Sequence, residues 1–132
     1  MSMKVLIADP DWRFSRKAAA YLESRAHLVV QQTHAERVIE AVEHWRPDLL
    51  IVSEELAGQG LLGELHGRPN RPAILLVGWM DRYDRVWRAW QQGGDELLMK
   101  PVFTSEELHA AIVAALENAA TGVRIRPAAL SA

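Results

Sequence analysis

Short aliphatic runs alternate with longer stretches of helical spacing along most of the chain. Val5-Leu6-Ile7-Ala8 is the first run, too short for a helix and read as a strand buried on both faces. Phe14, Ala18, Tyr21 and Leu22 then recur at helical spacing, with Asp11 near the start, where a carboxylate complements the helix dipole. Leu28-Val29-Val30 predicts a second strand. The spacing of Val38, Ile39, Val42 and Trp45 predicts a helix over 35–45, which Pro47 prevents from continuing. Leu49-Leu50-Ile51-Val52 predicts a third strand, the most apolar of all. Gly58, Gly60, Gly63 and Gly67 punctuate the next stretch and predict a loop with a short helix over 61–66.

A fourth strand is expected over 73–77, after Pro72, followed by a helix over 81–92 that Gly93-Gly94 closes with a left-handed cap. Leu97-Leu98-Met99 predicts a fifth strand. Thr104-Ser105-Glu106-Glu107 matches a capping box, and Leu108, Ala111, Ile112, Ala115 and Leu116 supply the stripe of the helix it opens. Five strands alternating with five helices imply an α/β fold with a parallel sheet covered on both faces. Right-handed crossovers of this length wind into the order 2-1-3-4-5, which makes Asp9 and Ser53 neighbours at the strand ends where such folds place their chemistry. One domain is expected over 3–119, with 120–132 as a C-terminal tail or linker stub.

Composition narrows the classes. With 132 residues and 49% hydrophobic content, one domain can build a full core. Fifteen Lys and Arg against seventeen Asp and Glu give a net charge of −2, so no global basic field exists to attract nucleic acid or an anionic membrane. The absence of cysteine excludes disulfides and thiolate metal sites. No apolar run is long enough for a secretory leader or a membrane span, and a cytoplasmic location is the expectation. The histidines show no metal-ligand spacing. The segment after the first strand, ADPDWRF, has no glycine to let phosphate approach the backbone, which argues against a nucleotide- or flavin-binding domain of similar topology.

The segments VLIADPD, PDLLIVS and GGDELLMKP, spread over residues 3–119, resemble the receiver domain of two-component response regulators. The resemblance implies a flavodoxin-like receiver fold. It also implies a site in which acidic residues after strand 1 hold Mg²⁺ and an aspartate ending strand 3 accepts a phosphoryl group. A strand-4 hydroxyl and a strand-5 lysine then engage that group, and the Lys-Pro bond is expected to be cis. Carried over by position, Asp9 matches the first acid, Pro10 stands at the second and Asp11 at the third. Ser53 stands at the phosphoacceptor position, and Val77 or Gly78 at the switch hydroxyl. Leu97 stands at the aromatic switch position, and Lys100 and Pro101 are retained.

Phosphoryl transfer of this kind needs an ionised carboxylate and a divalent cation. A serine hydroxyl needs a neighbouring base, and no histidine belongs to the cluster. The expectation is therefore a pseudo-receiver with a degraded Mg²⁺ site, no cofactor and no enzymatic activity, acting through protein contacts. Asp9 is expected to pair with Lys100, and Asp11 to cap the first helix. Two alternatives are a working phosphoreceiver that uses Ser53 or Asp11, and a small ligand-binding domain of flavodoxin-like topology. The expected partner is a protein such as a histidine kinase or an output protein. The resemblance implies that the fourth helix, fifth strand and fifth helix form the partner or homodimer surface, carrying Arg82, Arg85, Arg88 and Leu97. On that fourth helix, Tyr83, Val86, Trp87 and Trp90 share the face expected to be core. Glu54 or Glu55 standing in for a phosphorylated aspartate is disfavoured, because successive strand side chains point to opposite faces.

Overall fold

The computed structural model describes residues 2–58 and 60–122. Five parallel strands, β1 (Lys4–Ala8), β2 (Leu28–Gln32), β3 (Leu49–Ser53), β4 (Ala73–Trp79) and β5 (Glu96–Lys100), form one sheet in the order β2-β1-β3-β4-β5. The helices are α1 (Trp12–Ser24), α2 (Ala35–Trp45), α3 (Glu54–Ala57), α4 (Leu61–His66), α5 (Tyr83–Gln92) and α6 (Ser105–Thr121). This is the doubly wound α/β architecture that the alternating pattern implied.

Strand alternation divides the core. Val5, Ile7, Leu49, Ile51, Leu75 and Val77 point to the face covered by α1 and α6, where Ala18, Leu22, Leu108 and Ile112 meet them. Leu6, Ala8, Leu50, Val52, Ile74 and Leu76 point to the opposite face, against Val38 and Val42 of α2, Leu62 and Leu65 of α4, and Val86 and Trp90 of α5. Both faces of β3 are thus buried, which is why its sequence is continuously apolar rather than alternating. Each large aliphatic side chain removed from water here contributes about 1.5–3 kcal/mol before conformational entropy is charged against it.

Three boundaries differ from the expectations. The short helix expected over 61–66 is α4, but the chain also enters a further, unexpected turn of helix, α3, directly from Ser53, where a loop was expected. β4 continues through Gly78 to Trp79, and a 3₁₀ turn over Met80–Arg82 precedes α5, so the expected single helix over 81–92 begins later. The end of α5 is not a left-handed cap: Gly93 is close to extended (φ 159°, ψ −174°), and Gly94 carries φ 109°. There the conformation rather than crowding favours glycine, since a Cβ would meet the Trp90 ring only at an ordinary contact distance of 3.4 Å. Helix α6 runs two residues into the expected tail, to Thr121; residues 123–132 lie outside the described residues. No helix among the described residues is long and apolar enough to cross a membrane.

Candidate functional site

The strand register brings the sequence-marked residues to one edge of the sheet. Ala8 pairs with Val52 across β1 and β3, which sets Asp9 beside Ser53. Ser53 in turn pairs with Val77 on β4, and Trp79 pairs with Lys100 on β5. The Lys100-Pro101 peptide bond is cis, as the resemblance implied.

Lys100 is the centre of this cluster. Its ammonium is 2.6 Å from Asp9 Oδ2 and 3.2 Å from Asp11 Oδ2. It also lies over two ring faces, 4.7 Å from the Phe14 centroid and 5.3 Å from that of Trp79. Asp9 and Lys100 are 2% and 3% exposed, so neither charge is compensated by water. An isolated buried charge is very costly, and two carboxylates with two π faces are what make this one tolerable.

The remaining carboxylate oxygens are engaged as well. Asp9 Oδ1 accepts from the backbone N–H of Asp11 at 2.9 Å, and Ser15 Oγ donates to the Asp9 carbonyl at 3.1 Å. Asp11 is the N-cap of α1, its Oδ1 accepting from the backbone N–H groups of Arg13 (3.2 Å) and Phe14 (3.3 Å). Burial raises the Asp9 pKa above its ordinary value, against the pull of Lys100 and the Asp11 N–H. Asp11 is more exposed. There too burial opposes ionisation, but the Lys100 hydrogen bond and charge, with the cap N–H groups, bring its pKa below the ordinary value.

The other marked positions surround this cluster without joining its hydrogen bonds. Ser53 is buried, and its hydroxyl has no hydrogen-bond partner among the described residues. Val77 is core, and Gly78 is tightly enclosed: a Cβ there would lie 2.3 Å from Val86 Cγ2 and 3.2 Å from Glu54 Cγ. Pro10 is exposed and supplies no side-chain donor. Glu54, the first residue of α3, is buried, with its carboxylate 3.6 Å from Arg82 rather than at Lys100. Its pKa is raised by burial and by Glu55, with Arg82 and Arg85 opposing.

On the expected partner surface, Arg82, Arg85 and Arg88 are exposed, and Arg82 is ion-paired to Glu55 at 2.6 Å. Leu97 is a correction: it is buried in the core and presents no surface. Of the four side chains expected to form the core of that helix, Val86 and Trp90 are buried and Trp87 packs at the margin, whereas Tyr83 is 39% exposed. Three contributors escaped the sequence reading. Phe14 and Trp79 cover Lys100, and at the opposite end of β5 buried Asp95 holds Arg71 through two bonds of 2.7 and 2.8 Å. Asp95 also accepts from Ile74 N, and Asn118 donates to its carbonyl. Its only signal was an acidic residue just before an apolar run.

No protein-family model matches this chain, and no curated protein matches it either. Solved structures do. NtrX from Brucella abortus superimposes with a TM-score of 0.77 at 17% identity; the match covers 92% of this chain and 28% of NtrX, so this chain spans little more than a quarter of that protein. The signal receiver domain of a putative Luxo repressor protein from Vibrio parahaemolyticus gives a TM-score of 0.75 at 16% identity, covering 92% of this chain and 95% of that one. The signal receiver domain of a modulated diguanylate cyclase from Desulfovibrio desulfuricans G20 gives 0.72 at 20% identity, covering 93% and 100%. The five-stranded parallel sheet of order 2-1-3-4-5 with helices on both faces is thus the flavodoxin-like fold of receiver domains.

Proposed function

We propose that this chain is a two-component signalling domain of receiver fold that works in the cytoplasm through protein contacts, without accepting a phosphoryl group. The observation that carries this reading is the buried Ser53 hydroxyl, without base or acceptor, where receiver domains place the phosphoaccepting aspartate. A serine becomes a nucleophile only with a base at hand. Four of the five histidines are engaged elsewhere, with Met3, Tyr21, Thr33 and Glu40, and His66 is exposed on α4.

The residues present do not fit Mg²⁺. A magnesium site needs free oxygens in a near-octahedral shell. Here both carboxylates already bind an ammonium and backbone N–H groups, and Pro10 stands where a second acid would be. Among the described residues no three His, Asp or Glu converge as a metal-ligand group. The coupling that would report phosphorylation is also missing, because Val86 and Glu54 fill the space beside Gly78 where a hydroxyl-bearing side chain would stand. The protein contacts we propose run through the surface of α5, β5 and α6 bearing Arg82, Arg85 and Arg88, with a histidine kinase, an output protein or a second copy as the partner.

Amide ¹H–¹⁵N spectra recorded with Mg²⁺ and then with acetyl phosphate test the reading. Unchanged peaks at Asp9, Ser53, Gly78 and Lys100 are expected. Saturable shifts there would contradict it.

A further inference from the structure

A cleft of about 690 Å³ opens between the first turns of α1 and the loop joining β5 to α6. That volume lies within the roughly 300–1,000 Å³ span of small-molecule sites. Its walls are unusually aromatic. Phe14 and Trp79 form the inner end, where Lys100 lies beneath their faces. Trp12 and Phe103 stand at the mouth, 63% and 81% exposed, one on each wall. Two large apolar rings left so exposed, in one concave surface, make this cleft a candidate binding site.

The charges on the cleft select the sign of that ligand. Arg13 and Lys17 lie one turn apart on α1 and both line the cleft. Among the described residues neither has an ion-pair partner; Arg13 rests only over the Trp12 ring, at 5.5 Å. The one acidic side chain on the lining, Asp11, is already committed to Lys100 and to capping α1. With Asp9, Asp11 and Lys100 summing to −1, Arg13 and Lys17 leave a surplus of one positive charge beside the ring faces.

We propose that this cleft binds a planar aromatic anion, a fused-ring carboxylate or sulfonate whose rings lie between Trp12 and Phe103 and whose charged group meets Arg13 and Lys17. The site needs neither Ser53 nor a metal, so it stands whether or not the phosphorylation reading holds. It would give a domain of this fold a chemical input of its own, on the loop that follows Lys100-Pro101.

The test is a titration of the full chain with 1-naphthoate, followed by amide and tryptophan indole ¹H–¹⁵N shifts, with neutral 1-naphthamide as control. Saturable shifts centred on the Trp12 and Trp79 indoles and the Phe103 amide are expected, weakened by added salt. Arg13→Gln/Lys17→Gln, two exposed changes, should weaken naphthoate by about fivefold to tenfold, as two surface charge contacts allow. The same pair should leave naphthamide unchanged, and Phe103→Ala should weaken both compounds. The proposal is overturned by shifts that do not saturate, by naphthamide binding as tightly as naphthoate, or by indifference to the double substitution. Absence of any shift overturns it too, and would leave the aromatic mouth to a protein partner.

Discussion

Replacing Asp9 by alanine strikes the fold and the site together. It removes the closer partner of a lysine that is 97% buried, and it leaves the Asp11 N–H without its acceptor. Breaking a buried pair by deleting one member costs about 3–5 kcal/mol, because the other charge stays behind. Two features favour the lower end: Asp11 still lies 3.2 Å from the ammonium, and the Phe14 and Trp79 rings still face it. A loss of about 3 kcal/mol is therefore expected, a large fraction of the ~5–15 kcal/mol by which domains are stable. In urea, with a slope of about 2 kcal/mol per molar, the midpoint should fall by about 1.5 M without a change in slope. Lys100→Met should also destabilise, and more so as pH rises, since it leaves two carboxylates facing each other. The pair Asp9→Ala/Lys100→Met should be better than the sum of the single losses by about 1 kcal/mol or more. An Asp9→Ala protein within about 0.5 kcal/mol of the parent would refute the assignment of Lys100 as a charge held by buried partners.

Further predictions follow from the same geometry. Gly78→Ser drives a Cβ into Val86 and should cost about 1–3 kcal/mol in thermal melts, with Val86→Ala recovering part of it. Ser53→Ala removes a buried hydroxyl that has no partner, so stability measured in urea should be unchanged or slightly higher, whereas a loss above about 1 kcal/mol would reveal an unseen bond. Glu54 holds its proton more tightly folded than unfolded, so its contribution falls as pH rises from its ordinary 4.5 through the raised folded value. Glu54→Gln should therefore be more stable than the parent at pH 7, with the difference vanishing below about 4.5 on denaturant titration. Asp95→Ala leaves buried Ile74 N and the inner face of Arg71 unsatisfied and should cost about 3–5 kcal/mol, measured the same way.

The sequence disclosed what local pattern controls. Strand β3 is continuously apolar because both its faces are buried, and α2 spans the predicted 35–45, between the loop at His34 and the brake of Pro47. The pairing of Asp9 with Lys100 was also legible, since both follow or end strands at the same edge of a parallel sheet and a buried lysine requires a carboxylate. What stayed hidden depends on contacts between distant segments. The sequence marks Asp11 as a cap, but not that its second oxygen also reaches Lys100, eighty-nine residues away. Gly78-Trp79 resembles a turn, yet both extend β4 because Gly78 is packed under Val86 and Trp79 roofs Lys100. The resemblance implies a surface position for Leu97, whereas its place in the register points it into the core beneath the helices.

The central claim is that this receiver fold carries no phosphoacceptor. Intact-protein mass measured after incubation with Mg²⁺ and acetyl phosphate, beside a Ser53→Asp variant, tests it most directly. The account predicts no phosphoryl adduct on the parent chain. An adduct on the parent would contradict it, and the acid or base stability of that adduct would distinguish a serine ester from an acyl phosphate on Asp9 or Asp11.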